Sequence, residues 1–308
     1  MPILVAGFIE LSKADVRKIL ICFVFSCFAF VTFSLARAAW ILIQTGAAHF
    51  YYKDLVSFTL IHPAYIGLFI AFAIIIVTLE LLHSRNAMNR RTRLLAVVFL
   101  LFFLVFEFLL TAKIAIISLF LFLNIALYIG VQQQYTIRKA IAMLALMNCI
   151  GLGAIVALPY TRERFKLLFT YKEANYTNSV DSRTEIWHSA WQLVRDHNGL
   201  GIGSGDSEET LVSYYEKNGF KAGVEARYNT HNQYLQILVE TGVGGLLFFL
   251  SILGACCWWA IRDRNYLYLA FLLLFMVNIF TESMLKTQSG VVFYAFFNTI
   301  LGLSGKPK

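Results

Sequence analysis

Charge is scarce in this chain. Only 14% of its 308 residues are Asp, Glu, Lys or Arg, and 59% are hydrophobic. Soluble domains carry about 25% charged residues. An ordinary soluble domain is therefore excluded, and the mean hydropathy of +0.67 places the chain in a bilayer. Cysteine is missing where it would matter for chemistry. Cys22, Cys27, Cys149, Cys256 and Cys257 all fall inside apolar runs, which leaves no disulfide framework and no zinc-ligand spacing. Internal repeats and low-complexity segments are also lacking. The net charge of +8 does not signal nucleic acid, because the basic residues sit in short clusters between apolar runs, as membrane topology requires.

Long apolar runs dominate what is present. A spanning helix needs about 20 mostly apolar residues. Eight segments qualify: Lys18–Ile41, His62–Leu82, Leu94–Leu110, Ile114–Val131, Ala140–Pro159, Val243–Ile261, Tyr266–Met284 and Val291–Leu303. They predict an all-α, polytopic helix bundle with about eight spanning helices. Residues 1–159 hold five of them and 237–308 hold three, with a large polar loop, 160–236, between. Trp40, Tyr135, Trp258 and Tyr266 flank the runs at interface depth. The clusters Lys13/Arg17/Lys18, Arg85/Arg90/Arg91/Arg93, Arg138/Lys139, Arg262/Arg264 and Lys306/Lys308 all fall on one side if both termini are cytoplasmic. The loop is then extracytoplasmic, where it meets no ATP or nucleotide sugar. Met1–Glu10 is apolar but too short to span. It lacks the features of a cleavable signal and resembles the tail of a longer helix.

A structureless loop longer than about 15 residues is usually functional or disordered, and this one has too many Trp, Tyr and Leu residues for disorder. Ser182-x-x-Glu185 reads as a capping box. It opens a helix with apolar positions Ile186/Trp187, Ala190/Trp191 and Val194, which His197–Asn198–Gly199 stops. Leu211–Asn218 is a second amphipathic segment. A third helix begins near Thr230, where Thr230-x-x-Gln233 is again box-like, and runs to Gly242.

Several residues in and around the loop could carry chemistry. His231 falls in the first turn of that third helix. A neutral imidazole at a helix N-terminus can serve as a general base near neutral pH; the alternative is an interfacial histidine satisfied by Asn232 or a carbonyl. Arg183, directly after the capping serine, opposes the helix dipole unless an anion offsets it. A guanidinium grips phosphate in two-pronged fashion, although pairing with Asp181 or Glu185 would also account for it. Lys113, in a tight turn between two spanning helices, either holds a lipid phosphate or extends to the interface. Gly199-Leu-Gly-Ile-Gly-Ser-Gly205 lacks the strand–helix frame of a dinucleotide site and reads as a compact turn with close backbone packing. Glu282 at a helix end is a functional candidate or the i,i+4 partner of Lys286. Arg37 reads as snorkelling. Glu107 needs a partner that the pattern does not name.

Arg183-x-x-x-Trp187, the Gly199–Gly205 turn, His231-Asn232-Gln-Tyr234-Leu235 and Glu240-x-Gly242-x-x-Gly245 together resemble the O-antigen ligase and Wzy-type polymerase superfamily. His62-Pro63-x-Tyr65 and Glu282-Ser283-Met284-Leu285 with Gly290 fit the ligase branch. The resemblance implies a glycosyltransferase that moves glycan from undecaprenyl diphosphate to an acceptor, which for ligases is the lipid A–core of lipopolysaccharide. It implies no metal and no nucleotide cofactor. Its partners are the lipid-linked donor, the glycan acceptor and membrane lipids. His231 and Arg183 would be catalytic, and Lys113, Asn232, Tyr234, Trp187 and Glu282 would bind substrate. Members usually carry arginine where Lys113 stands, and usually span the membrane about a dozen times, with several helices ahead of the point where this chain starts. A Wzy-type polymerase or a protein O-oligosaccharyltransferase shares these motifs. A non-catalytic transporter fits less well, because the polar residues gather at helix ends rather than at mid-membrane.

Overall fold

The computed structural model describes residues 12–83, 88–132, 137–166 and 179–303. Met1–Glu10, Arg85, Tyr135, Lys306 and Lys308 lie outside them. Among the described residues all regular structure is helical. Lys13–Thr45 (α1) is followed by a single turn, Tyr52–Leu55 (α2), and then by Pro63–His83 (α3), Arg90–Leu110 (α4), Lys113–Gln132 (α5) and Ile137–Ala157 (α6). Pro159–Lys166 (α7), Ser179–Asp196 (α8), Ser207–Lys217 (α9) and Lys221–Ala226 (α10) make up the polar region. Gln233–Arg262 (α11), Tyr266–Asn278 (α12), a 3₁₀ turn at Met284–Lys286 and Gln288–Leu303 (α13) follow. The protein is an all-α membrane helix bundle. Helices α1, α3 (through Leu82), α4 and α11 are long and apolar enough to cross a membrane by length and composition, and shorter apolar helices occupy the other expected positions.

Local signals set the helix ends. At α1, Ser12 and Asp15 form a reciprocal capping box and Gly46 closes the helix at φ 71°. Asn89 caps α4, its side-chain oxygen accepting from the Thr92 amide at 2.8 Å. Helix α3 is the hub: it packs on α1, α4, α5 and α12, and Leu68, Ala71, Phe72 and Ile74 on it are fully buried. The outer helices turn Phe25, Phe33, Leu94, Leu101, Leu247 and Phe248 outward, as helices facing acyl chains do. Asn124 on α5 and Asn148 on α6 exchange side-chain amide hydrogen bonds at 3.1 and 2.7 Å, a polar tie between apolar helices. Arg37 donates to the Ser57 hydroxyl at 3.1 Å and lies over the Phe58 ring.

The polar region has its own core, in which Ile186, Leu193, Leu211, Tyr215, Phe220 and Val239 are buried together. The first turns of α11 belong to it. At Gly242 the backbone leaves helical geometry, with φ 70° and ψ −171°. The Gly-rich turn bonds directly to the helix there. Ile202 and Gly203 donate to the carbonyls of Val239 and Glu240 at 3.0 and 2.9 Å, and Val243 donates to the Gly199 carbonyl at 2.9 Å. A side chain at Gly201 or Gly242 would overlap the opposing backbone. The expected close backbone packing is thus present, and its reason is that two chain segments share one another's hydrogen bonds.

Three local expectations fail. Helix α8 begins at Ser179, so Ser182 is interior to it and Arg183 sits one turn in. The cap of α11 is Asn232, whose side-chain oxygen accepts from the Tyr234 and Leu235 amides at 3.0 and 3.1 Å; Thr230 therefore starts no helix, and His231 precedes the first turn. The predicted span Tyr266–Met284 stops at Asn278. The link beyond it serves α11 instead. Its Ile279 carbonyl accepts the Gln233 amide at 2.8 Å, one of the donors that the first turn of α11 leaves unpaired.

Candidate functional site

Five parts of the chain meet where the polar region joins the bundle. Helix α8 brings Arg183, the segment before α11 brings His231, and the link after α12 brings Glu282. Lys113 opens α5 just after the α4–α5 turn, and His62 precedes α3. Together they line a cavity of about 260 Å³ with Tyr52, Lys53, Arg164 and Tyr228. That volume lies just under the range of drug-sized ligand sites, so it suits a headgroup rather than a whole glycan. Among the described residues its lining holds four basic side chains, Lys53, Lys113, Arg164 and Arg183, against the single carboxylate of Glu282. A cleft so biased focuses positive potential on an anionic guest.

Glu282 is the organiser. It is only 5% exposed and bridges two partners: Arg183 Nη2 donates to Oε1 at 2.8 Å, and His231 Nδ1 lies 3.1 Å from Oε2. Burial pushes its carboxyl up, but the His231 hydrogen bond and the His231 and Arg183 charges outweigh that and hold it below the usual carboxylate value. An ionised carboxylate only accepts, so Nδ1 carries the hydrogen and Nε2 is the ring nitrogen left to act. The Arg183 and His231 side chains stay 25% and 30% exposed, which gives an incoming molecule access to both.

His231 is held in an uncommon conformation, φ 44°, which a non-glycine residue adopts only where its surroundings enforce it. Its amide donates to the Asn229 side chain at 2.9 Å, and the Tyr228 ring meets its imidazole at 5.6 Å. Tyr215, fully buried on α9, donates to the Tyr228 carbonyl at 3.0 Å. The Asn232 amide donates to the Ser283 hydroxyl at 3.2 Å, and the Leu285 amide to the Gln233 side chain at 2.8 Å. The segments carrying His231 and Glu282 are thereby stitched together.

Four of the seven sequence-nominated residues, Arg183, His231, Lys113 and Glu282, line this cavity. The other three spend their polar groups on the protein. Asn232 caps α11. The Trp187 indole donates to the Thr230 carbonyl at 2.9 Å. The Tyr234 hydroxyl donates to the Met276 carbonyl at 2.9 Å. These three fix the frame of the site. The expected Glu282–Lys286 pair is replaced: no helix connects the two, and Lys286 bonds Glu240 at 2.8 Å instead. Lys53, His62 and Arg164 were missed. His62 could have been suspected from His62-Pro63-x-Tyr65, but nothing in periodicity marks the other two. Burial lowers the basicity of His62, with the Glu282 charge opposing that effect. Its Nδ1 accepts from the Ala64 amide at 3.3 Å.

The profile of the O-antigen ligase family matches residues 95–250, about half of the chain. The chain belongs to the O-antigen ligase family. With its apolar helices, this makes it a membrane protein of the O-antigen ligase and polymerase type of glycosyltransferase. The matched span takes in Lys113, Arg183, His231 and the Gly201–Gly242 crossing; Lys53, His62 and Glu282 lie outside it. A search of curated proteins gave no match.

Proposed function

We propose that this O-antigen ligase family member transfers a glycan from undecaprenyl diphosphate to the lipid A–core of lipopolysaccharide, at the periplasmic face of the inner membrane. The observation that carries the reading is the Arg183–Glu282–His231 constellation in a cationic cavity where the polar region meets the bundle. The chain divides by role: helices in 1–159 and 237–308 hold the lipids, and the loop 160–236 covers the site. Both termini lie in the cytoplasm, which leaves the basic clusters on the side opposite the loop.

In this mechanism His231 Nε2 takes the proton of an acceptor hydroxyl. The freed oxygen attacks the anomeric carbon, and the bond from that carbon to the diphosphate oxygen breaks. The electron pair leaves on undecaprenyl diphosphate, whose growing charge Arg183 and Lys113 stabilise. One displacement inverts the anomeric centre. Glu282 fixes the imidazole tautomer and aims Arg183.

Complementation of a ligase-null strain tests this, using the chain and a form extended upstream of Met1, scored by lipopolysaccharide ladders. Wild type should restore the ladder. His231→Ala and Arg183→Ala should each abolish it while still inserting into the membrane. A ladder of equal strength with His231→Ala defeats the catalytic assignment. If no ladder forms but polymer length changes in a polymerase-null strain, the polymerase alternative replaces the ligase reading.

A further inference from the structure

Transfer by this route uses two of the four cations in the cavity. Arg164, on α7, is the best defined of the others. Its guanidinium lies over the Tyr52 ring, with Cζ 3.5 Å from the centroid, well inside the range of a cation–π contact. Tyr52 presents that ring from a backbone at φ 50°, a conformation an aromatic residue holds only under constraint. Neighbouring contacts supply the constraint. Tyr51 stacks on Tyr160 of α7 at 5.0 Å, and the Tyr52 ring meets His62 edge-on at 6.3 Å. Arg164 is thus oriented before any ligand arrives. Among the described residues its buried Nε–H has no hydrogen-bond partner, an unusual state for a buried donor and one that an anionic acceptor would relieve. The charges of Arg164 and Arg183 both bear on Lys113. Like charges gathered around one cavity repel unless a multivalent anion sits among them.

We infer that Arg164, stacked on Tyr52, is a second phosphate-binding arm: it grips one phosphate of a lipid-linked diphosphate while Arg183 grips the other. The flat guanidinium fork supplies the two-pronged contact that a lysine at 113 cannot make. The inference rests on the glycan-transfer reading and deepens it.

The test uses the full chain in nanodiscs with a polyprenyl-diphosphate-linked glycan, and separates the donor KM from kcat. Arg164→Gln should raise the donor KM about tenfold, the loss expected for one charge-assisted contact, and leave the acceptor KM unchanged. Inhibition by inorganic diphosphate should weaken in parallel, while inhibition by monophosphate barely moves. Arg164→Lys should recover only part of the loss. Tyr52→Leu should mimic Arg164→Gln more weakly, and Tyr52→Phe should stay near wild type. A folded Arg164→Gln with unchanged donor KM and diphosphate inhibition overturns the inference, as does a rise in acceptor KM in its place. If Arg164→Gln does not fold, Arg164→Lys and Tyr52→Leu decide by the same readouts. If wild type transfers no glycan, the functional reading fails by itself. Calorimetric titration with inorganic diphosphate still judges the arm: tighter binding to wild type than to the Arg164 variants supports it, and equal or absent binding overturns it.

Discussion

Glu282 and Glu107 are both buried acids, and their surroundings are opposites. Glu282, where the polar region meets the bundle, has a cation on one oxygen and an imidazole on the other. Glu107, within α4, is fully buried, and among the described residues neither of its oxygens has a hydrogen-bond partner. Its close neighbours are small: a Cβ added at Gly67 would stand 3.0 Å from Oε1, beside Ala112 and Ala115. An unpaired buried polar group costs about 1–3 kcal/mol, whereas a buried pair holds its geometry and loses several kcal/mol when one member goes. The same residue type is therefore an organiser in one region and a burden in the other. Nothing in the structure explains why position 107 is an acid.

The largest effect that would test this contrast comes from Glu282→Ala. Glycan transfer should fall about a hundredfold or more, as when a base loses its orientation. Unfolding stability should drop by about 3 kcal/mol, less than for a sealed pair because Arg183 and His231 reach water. Transfer rates and thermal unfolding of the purified protein measure both, and a variant with wild-type rates would erase the distinction between the two acids. A smaller effect follows from pH. The Glu282 carboxyl is held low in the folded protein, so its stabilisation is present above the unfolded value of about 4.3 and is lost as pH falls through the lowered folded value. Between about pH 6 and pH 3 the unfolding temperature of wild type should fall more steeply than that of Glu282→Gln; parallel curves would deny the pairing its energetic role. The smallest change is Glu107→Met, which removes two unsatisfied oxygens at similar volume. It should raise the unfolding temperature by about 2 °C or more, and a large loss of stability would reveal a partner for Glu107.

The bundle was legible because apolar runs near 20 residues have one common use. The Gly199–Gly205 turn was legible because glycine at such density signals backbone contact. Arg183 and His231 stood out in the sequence as candidates, but the partner they share did not. Glu282 stands 99 residues from the first and 51 from the second, and no periodicity spans such gaps. Spacing alone paired it with Lys286, on the premise of a helix that ends at Asn278. The Ser182 box failed for a related reason: capping chemistry inside a longer helix looks the same in sequence as capping chemistry at its start. Arg164 and Lys53 carry no pattern at all, because only the fold lays Arg164 on Tyr52 and brings both cations to one cavity.

The Gly242 crossing has a metric consequence. From Val243 to Arg262 the second part of α11 runs for about 20 residues, or about 30 Å, one hydrocarbon thickness. Since Gly199, Ile202 and Gly203 splint the bend, it is a fixed elbow rather than a hinge. The helix acts as a ruler with a stop at one end. If His231 acts as proposed, its height above the acyl chains is set by counting residues, and lengthening or shortening the span below the elbow should shift the site of transfer without touching any residue in it.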